Sequence, residues 1–167
     1  LCLATGNLRP GSGPFSLTGQ ANSMGTRVVS SKGTWPGHRP FEAPDHRETV
    51  ADAWEVPVDR LPADTGPGPV GIVDAMADDE IEAVYAVATN PAAGMPDASA
   101  VRETLAETFL VVQDTFHTET TDIADVVLPA LTWGECQGTV VNMERSISRV
   151  RAATETPPDV YSDLDIV

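Results

Sequence analysis

Two short, nearly unbroken apolar runs, residues 82–88 (EAVYAVA) and 109–113 (FLVVQ), constrain the fold more than any other feature of the chain. A strand with one face in water alternates apolar and polar side chains, whereas a run apolar throughout suits a strand covered on both faces, as in a parallel sheet. Between the runs, Asp97 or Ser99 caps a helix reaching Glu107, and a helix over 70–77 precedes the first. A helical turn over 118–123 leads to a third run, 125–128 (DVVL), and short extended pieces follow over 138–141 and 147–150. Strand, helix and strand in alternation predict an α/β fold, a Rossmann-like βαβ domain built on a parallel sheet.

Glycine and proline divide the rest. Residues 6–40 are rich in Gly, Ser, Thr and Asn with few periodic apolar positions, so their backbone is expected to be mostly loop. Residues 41–69 are acidic and punctuated by Pro57, Pro62, Pro67 and Pro69, which predicts a surface excursion with one helical turn near 50–54. The expected organisation is a loop segment over 1–40, the excursion over 41–69, the α/β region over 70–151 and a linker to a further domain over 152–167.

Charge narrows the partners. With 25 acidic against 10 basic residues the formal net charge is −15, which excludes an electrostatically driven partner of nucleic acid or of an acidic membrane face. Lys32 is the only lysine, and the other nine basic residues are arginines. Such a balance fits a surface kept hydrated at high salt; a GC-rich genome accounts for the missing lysine but not for the surplus acid. No window reaches the ~20 apolar residues of a membrane span. The chain opens on Leu1 within an apolar stretch lacking a basic leader, so it reads as an internal part of a longer protein rather than as a signal peptide. Cys2 and Cys136 give neither a metal-ligand spacing nor a disulfide framework.

Parallel sheets bind ligands at the carboxyl ends of their strands. There the sequence places Asn90 and Pro91 after the first run, Gln113 and Asp114 at the end of the second. An amide and a carboxylate on neighbouring strand ends can meet a sugar-phosphate and a guanine edge, although Asn and Asp also end strands simply to start turns. A second cluster, Gly138, Thr139, Asn142, Glu144 and Arg145, suits a polar cofactor or, equally, a turn between edge strands. A third is the Gly-rich loop at 11–27, where Gly25 permits close approach, Gln20 and Asn22 offer amides, and Arg27 is a fixed cation suited to an oxyanion. Arg27 could also be a surface arginine neutralised by neighbouring carboxylates. Neither GxGxxG nor a P-loop occurs.

Taken in order, ATGNLRPGSGPFSLTGQANSMGTR, ATNPAAGMPDA and VVQDTFHTETTDIADVVLPALTWGECQGTVVNMERSISRVR resemble the molybdopterin oxidoreductases that carry two molybdopterin guanine dinucleotides. Within that family they look most like the haloarchaeal form of the assimilatory nitrate reductases. The resemblance implies reduction of nitrate, or another small anion, by oxygen-atom transfer at a Mo-bis(molybdopterin guanine dinucleotide) centre, with cytoplasmic location, an electron donor such as ferredoxin and a 4Fe-4S cluster held upstream. It sets Asn90, Pro91, Gln113 and Asp114 against one guanine dinucleotide, Asp114 on the guanine edge, with Thr118 and Glu119 completing that wall. Gly138, Thr139, Asn142, Glu144 and Arg145 would lie along the cofactor bed. Gln20, Met24 and Arg27 would approach the molybdenum funnel, Arg27 guiding nitrate, with Gly25 among the cofactor-binding residues. The family commonly carries a charged residue where Cys136 and Gln137 stand, and its molybdenum ligand lies upstream, so Cys136 is not that ligand. A formate dehydrogenase of the same family and a non-catalytic α/β scaffold are the alternatives.

Overall fold

Residues 1–14, 19–29 and 33–167 are described in a computed structural model of the protein, so residues 15–18 of the Gly-rich loop and Lys32 lie outside the described residues. The chain forms two units, Leu1–Leu61 with Thr139–Ser148, and Pro62–Gly138 with Arg149–Val167.

The first unit begins in turns and reaches α1 (Ser23–Val29), a helix within the segment expected to be loop. Its sequence, SMGTRVV, has Gly and β-branched residues of weak helix propensity. Local bonds offset this: the Ser23 hydroxyl donates to the Gln20 carbonyl at 2.9 Å and the Thr26 hydroxyl to the Asn22 carbonyl at 3.1 Å. Two short strands follow, β1 (Thr34–Trp35) and β2 (Arg39–Pro40), paired antiparallel with Trp35 opposite Arg39. Buried Trp35 stacks on Phe41 with ring centroids 4.6 Å apart and meets Trp54 edge-on at 6.4 Å. Trp54 ends α2 (Pro44–Trp54), which starts six residues earlier than the expected turn because Pro44, with φ already fixed, begins it. Val50 and Ala51 on α2 are buried.

In the second unit, α3 (Pro69–Ala77) precedes β3 (Ala83–Val87), and α4 (Pro91–Gly94) with α5 (Ala98–Glu107) leads to β4 (Phe109–Asp114). A 3-10 turn at Thr121–Ile123 leads to β5 (Val126–Pro129), and α6 (Asp163–Ile166) lies near the chain end. The sheet is parallel in the order β3-β4-β5, with Val87 beside Gln113 and Asp114 beside Pro129. Helix α5 follows Asp97 as expected, but Asp97 makes no side-chain capping bond. Its backbone is left-handed (φ 51°) instead of the extended form of a capping residue.

Helices cover one face of the sheet, where Ala86, Leu110 and Val112 pack against Met76, Val101 and Leu105. On the opposite face Tyr85, Val87 and Phe109 are exposed in this chain, while Gln113 is buried against Asp163 of α6.

The last paired elements, β6 (Gly138–Val141) and β7 (Ile147–Val150), join through a turn in which the Asn142 amide N–H donates to the Ser146 carbonyl at 3.1 Å. No described helix is long and apolar enough to cross a membrane.

Candidate functional site

In the second unit the parallel register brings the ends of β3 and β4 to one edge. Ala88, just beyond β3, takes a strained φ of 50° while its N–H donates to the Gln113 carbonyl at 2.9 Å. Asn90 follows, and its amide is engaged at both ends: Nδ2 donates to Glu119 Oε2 at 2.8 Å, and Oδ1 accepts from the Thr120 hydroxyl at 2.7 Å. Fully buried Thr120 also accepts the Ala92 N–H at 3.1 Å, which fixes the start of α4 behind Pro91. The bond from Asn90, and then one from its own backbone, hold the Glu119 carboxyl below the usual range; slight desolvation opposes them and Arg102 adds a weaker pull.

Asp114 is half-buried, and its Oδ1 accepts the N–H groups of Thr115 and Phe116 at 2.7 and 3.2 Å, the turn-starting role weighed beside the binding one. Gln113 is 1% exposed; its Oε1 accepts from the Tyr85 hydroxyl and its Nε2 donates to Asp163 at 2.6 Å, so it joins β3, β4 and α6. Thr118 exchanges bonds with Thr121 at 2.7 and 3.3 Å, closing the 3-10 turn that presents Glu119 and Thr120. Asn90 and Asp114 thus share the carboxyl edge of adjacent strands, linked respectively to the 118–121 turn and to their own loop.

The remaining candidates lie in the first unit, apart from exposed Gly138 at the start of β6. There Met24, Arg27, His38, Thr139, Arg145 and Ile147 line a cavity of about 570 Å³. Buried Gly25 shows how its walls are joined. The Asn22 amide lies directly over Gly25 with no room for a Cβ, and Asn22 Oδ1 accepts the Val141 N–H at 2.9 Å, tying α1 to a strand 119 residues away. Asn142 Oδ1 accepts the Ser146 N–H at 2.9 Å, closing the turn that carries Glu144 and Arg145. Gln20 is exposed and contributes its carbonyl to the start of α1 rather than to the cavity lining.

Sequence reasoning missed the roles of Asn22, His38, Tyr85 and Thr120. His38 had a local signal, since the Pro36-Gly37 pair before it marks a turn; Thr120 had none, because nothing in the sequence distinguishes it from the threonines beside it. Cys136 is half-buried with Sγ 3.9 Å from the Leu131 carbonyl. Burial first, then the carboxylates of Asp163 and Glu135, pushes its thiol up. Among the described residues no group of three or more His, Cys, Asp and Glu side chains is placed to hold a metal ion.

A family model described as molybdopterin oxidoreductase matches residues 1–167. Over its whole length the chain is 69% identical to the assimilatory nitrate reductase of Haloferax mediterranei, covering 23% of that protein. Over 99% of its length it is 36% identical to the nitrate reductase of Synechocystis, covering 24%. It is 35% identical over its full length to formate dehydrogenase H of Escherichia coli, again covering 24%. The chain therefore spans about a quarter of the length of these curated relatives.

Proposed function

Because this chain belongs to the molybdopterin oxidoreductase family, we propose that it is part of an enzyme that reduces nitrate to nitrite at a Mo-bis(molybdopterin guanine dinucleotide) centre. The observation that carries the reading is the first-unit cavity, where Met24 and Arg27 meet Thr139 and Arg145 from the far end of the chain. Guanidinium groups suit phosphate and nitrate oxygens, and the apolar wall of Met24 and Ile147 suits a flat ring system, so the residues present fit such a group. The 69% identity to a nitrate reductase, against 35% to a formate dehydrogenase, favours nitrate as the substrate.

When bound, the molybdenum-pterin group supplies two-electron removal of an oxygen atom, taking nitrate, two protons and two electrons to nitrite and water. The chain's own part is binding and orientation. Arg27 attracts and orients the anion by charge-assisted hydrogen bonding beside Met24, while Gln20 holds the start of α1 through its carbonyl and Gly25 lets the Asn22 amide pack closely. Thr139, Asn142, Glu144 and Arg145, after Gly138, form part of the cofactor bed. At the sheet edge Asn90, Pro91, Thr118 and Glu119 form a guanine dinucleotide wall. With Asp114 Oδ1 turned to its own loop, the guanine contact falls to Oδ2, and buried Gln113 supports that strand end. The assimilatory relative favours a cytoplasmic enzyme fed by a donor such as ferredoxin through a 4Fe-4S cluster.

The test uses the full-length protein. It should oxidise a reduced dye with nitrate, and Arg27→Ala should raise the nitrate KM about tenfold or more, the loss of a hydrogen bond to a charged group, with molybdenum content retained. Formate oxidation in place of nitrate reduction would overturn the substrate, and unchanged nitrate kinetics in the variant would remove Arg27 from the pocket.

A further inference from the structure

The same cavity is reached by two hairpin turns, and each places a nitrogen-bearing side chain where the backbone favours glycine. The β1-β2 hairpin turns over three residues, Pro36 to His38, of which Gly37 and His38 have φ 78° and 60°. Both lie in the left-handed region, a backbone demand that glycine meets without strain. Gly37 meets that demand and leaves room for the Arg39 guanidinium, which donates to the Pro36 carbonyl at 2.7 Å. His38 meets it only by carrying a Cβ into the left-handed region. In the β6-β7 turn Arg145 has φ 63°, again at a position that glycine would fill without strain. The Gly37 N–H donates to the Val28 carbonyl at 2.7 Å and the Val141 N–H to Asn22, so both hairpins are tied to α1 and its Arg27.

Among the described residues seven other than glycine take positive φ, and two of them, His38 and Arg145, line this one cavity. Among the described residues that lining includes Arg27, His38 and Arg145 and no Asp or Glu, in a chain with 25 acidic residues. The pocket therefore suits an anion. At about 570 Å³ it is far larger than a four-atom anion needs, given ~30 Å³ for a water molecule, so its occupant also carries apolar bulk or sits beside a group that does.

We propose that His38 is a third anion-binding residue of this cavity, its ring N–H joining the guanidiniums of Arg27 and Arg145 on one oxyanion group. The oxyanion is either free nitrate or a phosphate of the dinucleotide cofactor. This rests on the function proposed above. A neutral imidazole keeps one N–H in either tautomer, so the role does not depend on its charge.

The experiment compares parent, His38→Gly and His38→Asn in the full-length holoenzyme. Three quantities are read: thermal midpoint, guanine nucleotide released by acid, and nitrate KM. Glycine relieves the turn, so His38→Gly should melt no lower than the parent. If the oxyanion is nitrate, the KM should rise about tenfold while guanine content stays constant. If it is phosphate, guanine content should fall by about half or more with the KM of the loaded fraction unchanged, the same lost bond acting on retention. Asparagine tolerates the left-handed backbone and keeps a donor, so His38→Asn should recover part of either loss. A parent that reduces nitrate and releases guanine, beside a His38→Gly enzyme equal in both, overturns the role of His38 alone. A parent that does neither overturns the function proposed above, and this inference with it.

Discussion

Replacing Gly25 by alanine should destabilise the first unit even though alanine is the better helix former. Gly25 lies in α1, and Gly→Ala in a helix interior is ordinarily worth about 1 kcal/mol of stability. Here the added methyl would overlap Oδ1, Cγ and Nδ2 of Asn22, so the amide must swing away. Its Oδ1 then releases the half-buried Val141 N–H, now held at 2.9 Å. Leaving such a donor unmet costs about 1–3 kcal/mol, so the net effect is a loss of about 1 kcal/mol, concentrated where β6 meets α1.

Hydrogen exchange of a peptide covering residues 138–146 reads this locally. Protection there should fall about tenfold, because the lost bond is felt in full at Val141 and the helix gain is not. A double-mutant cycle makes the test sharper. With Asn22→Ala already in place the three atoms nearest the methyl are gone, so Gly25→Ala should then stabilise by about 1 kcal/mol. A sign that reverses with the background supports the collision. Equal destabilisation in both backgrounds, or stabilisation in the parent, refutes it.

Two further outcomes follow from the sheet edge. Thr120→Val should cost about 2–3 kcal/mol, since it removes the donor to Asn90 and orphans the buried Ala92 N–H, whereas Thr120→Ser should cost about 1 kcal/mol; chemical denaturation of the three proteins checks the order. Glu119 titrates below its ordinary 4.5 when folded, so its contribution is complete above the unfolded value and fades as pH falls through the folded one. Asn90→Ala removes the largest cause, and stability measured across that acid window should lose part of its pH dependence.

The contrast between what was readable and what was not follows the range of the interactions involved. β3, β4 and the helix between them were legible because a parallel crossover writes its requirements into contiguous residues: apolar runs such as FLVVQ, and a helix of the length needed to return. Which apolar side chains stay exposed in this chain was not legible, because Tyr85, Val87 and Phe109 are as apolar as their covered neighbours. Helix α1 was missed for the opposite reason. SMGTRVV has little intrinsic helicity, and the Asn22 bond that anchors it reaches Val141 from 119 residues away.

The same division runs through the candidate site. Asn90, Asp114, Arg27 and Arg145 could be singled out because a charge or an amide after a strand or in a glycine-rich loop is a local signal. The residues that hold them are ordinary in sequence. Thr120 is one threonine among several, and Asn22 one amide of a polar loop; each becomes important only because folding buries it against a backbone N–H that has to be satisfied. His38 stands between the two classes. Pro36-Gly37 before it signals a turn, and a position of positive φ within a turn favours glycine. A side chain kept against that preference is a local fact, yet it acquires meaning only once a second such side chain, Arg145, is found lining the same cavity. Positive φ recurs at residues such as Glu55 that simply end a helix, so it is the shared cavity, which only the fold reveals, that gives His38 and Arg145 their meaning.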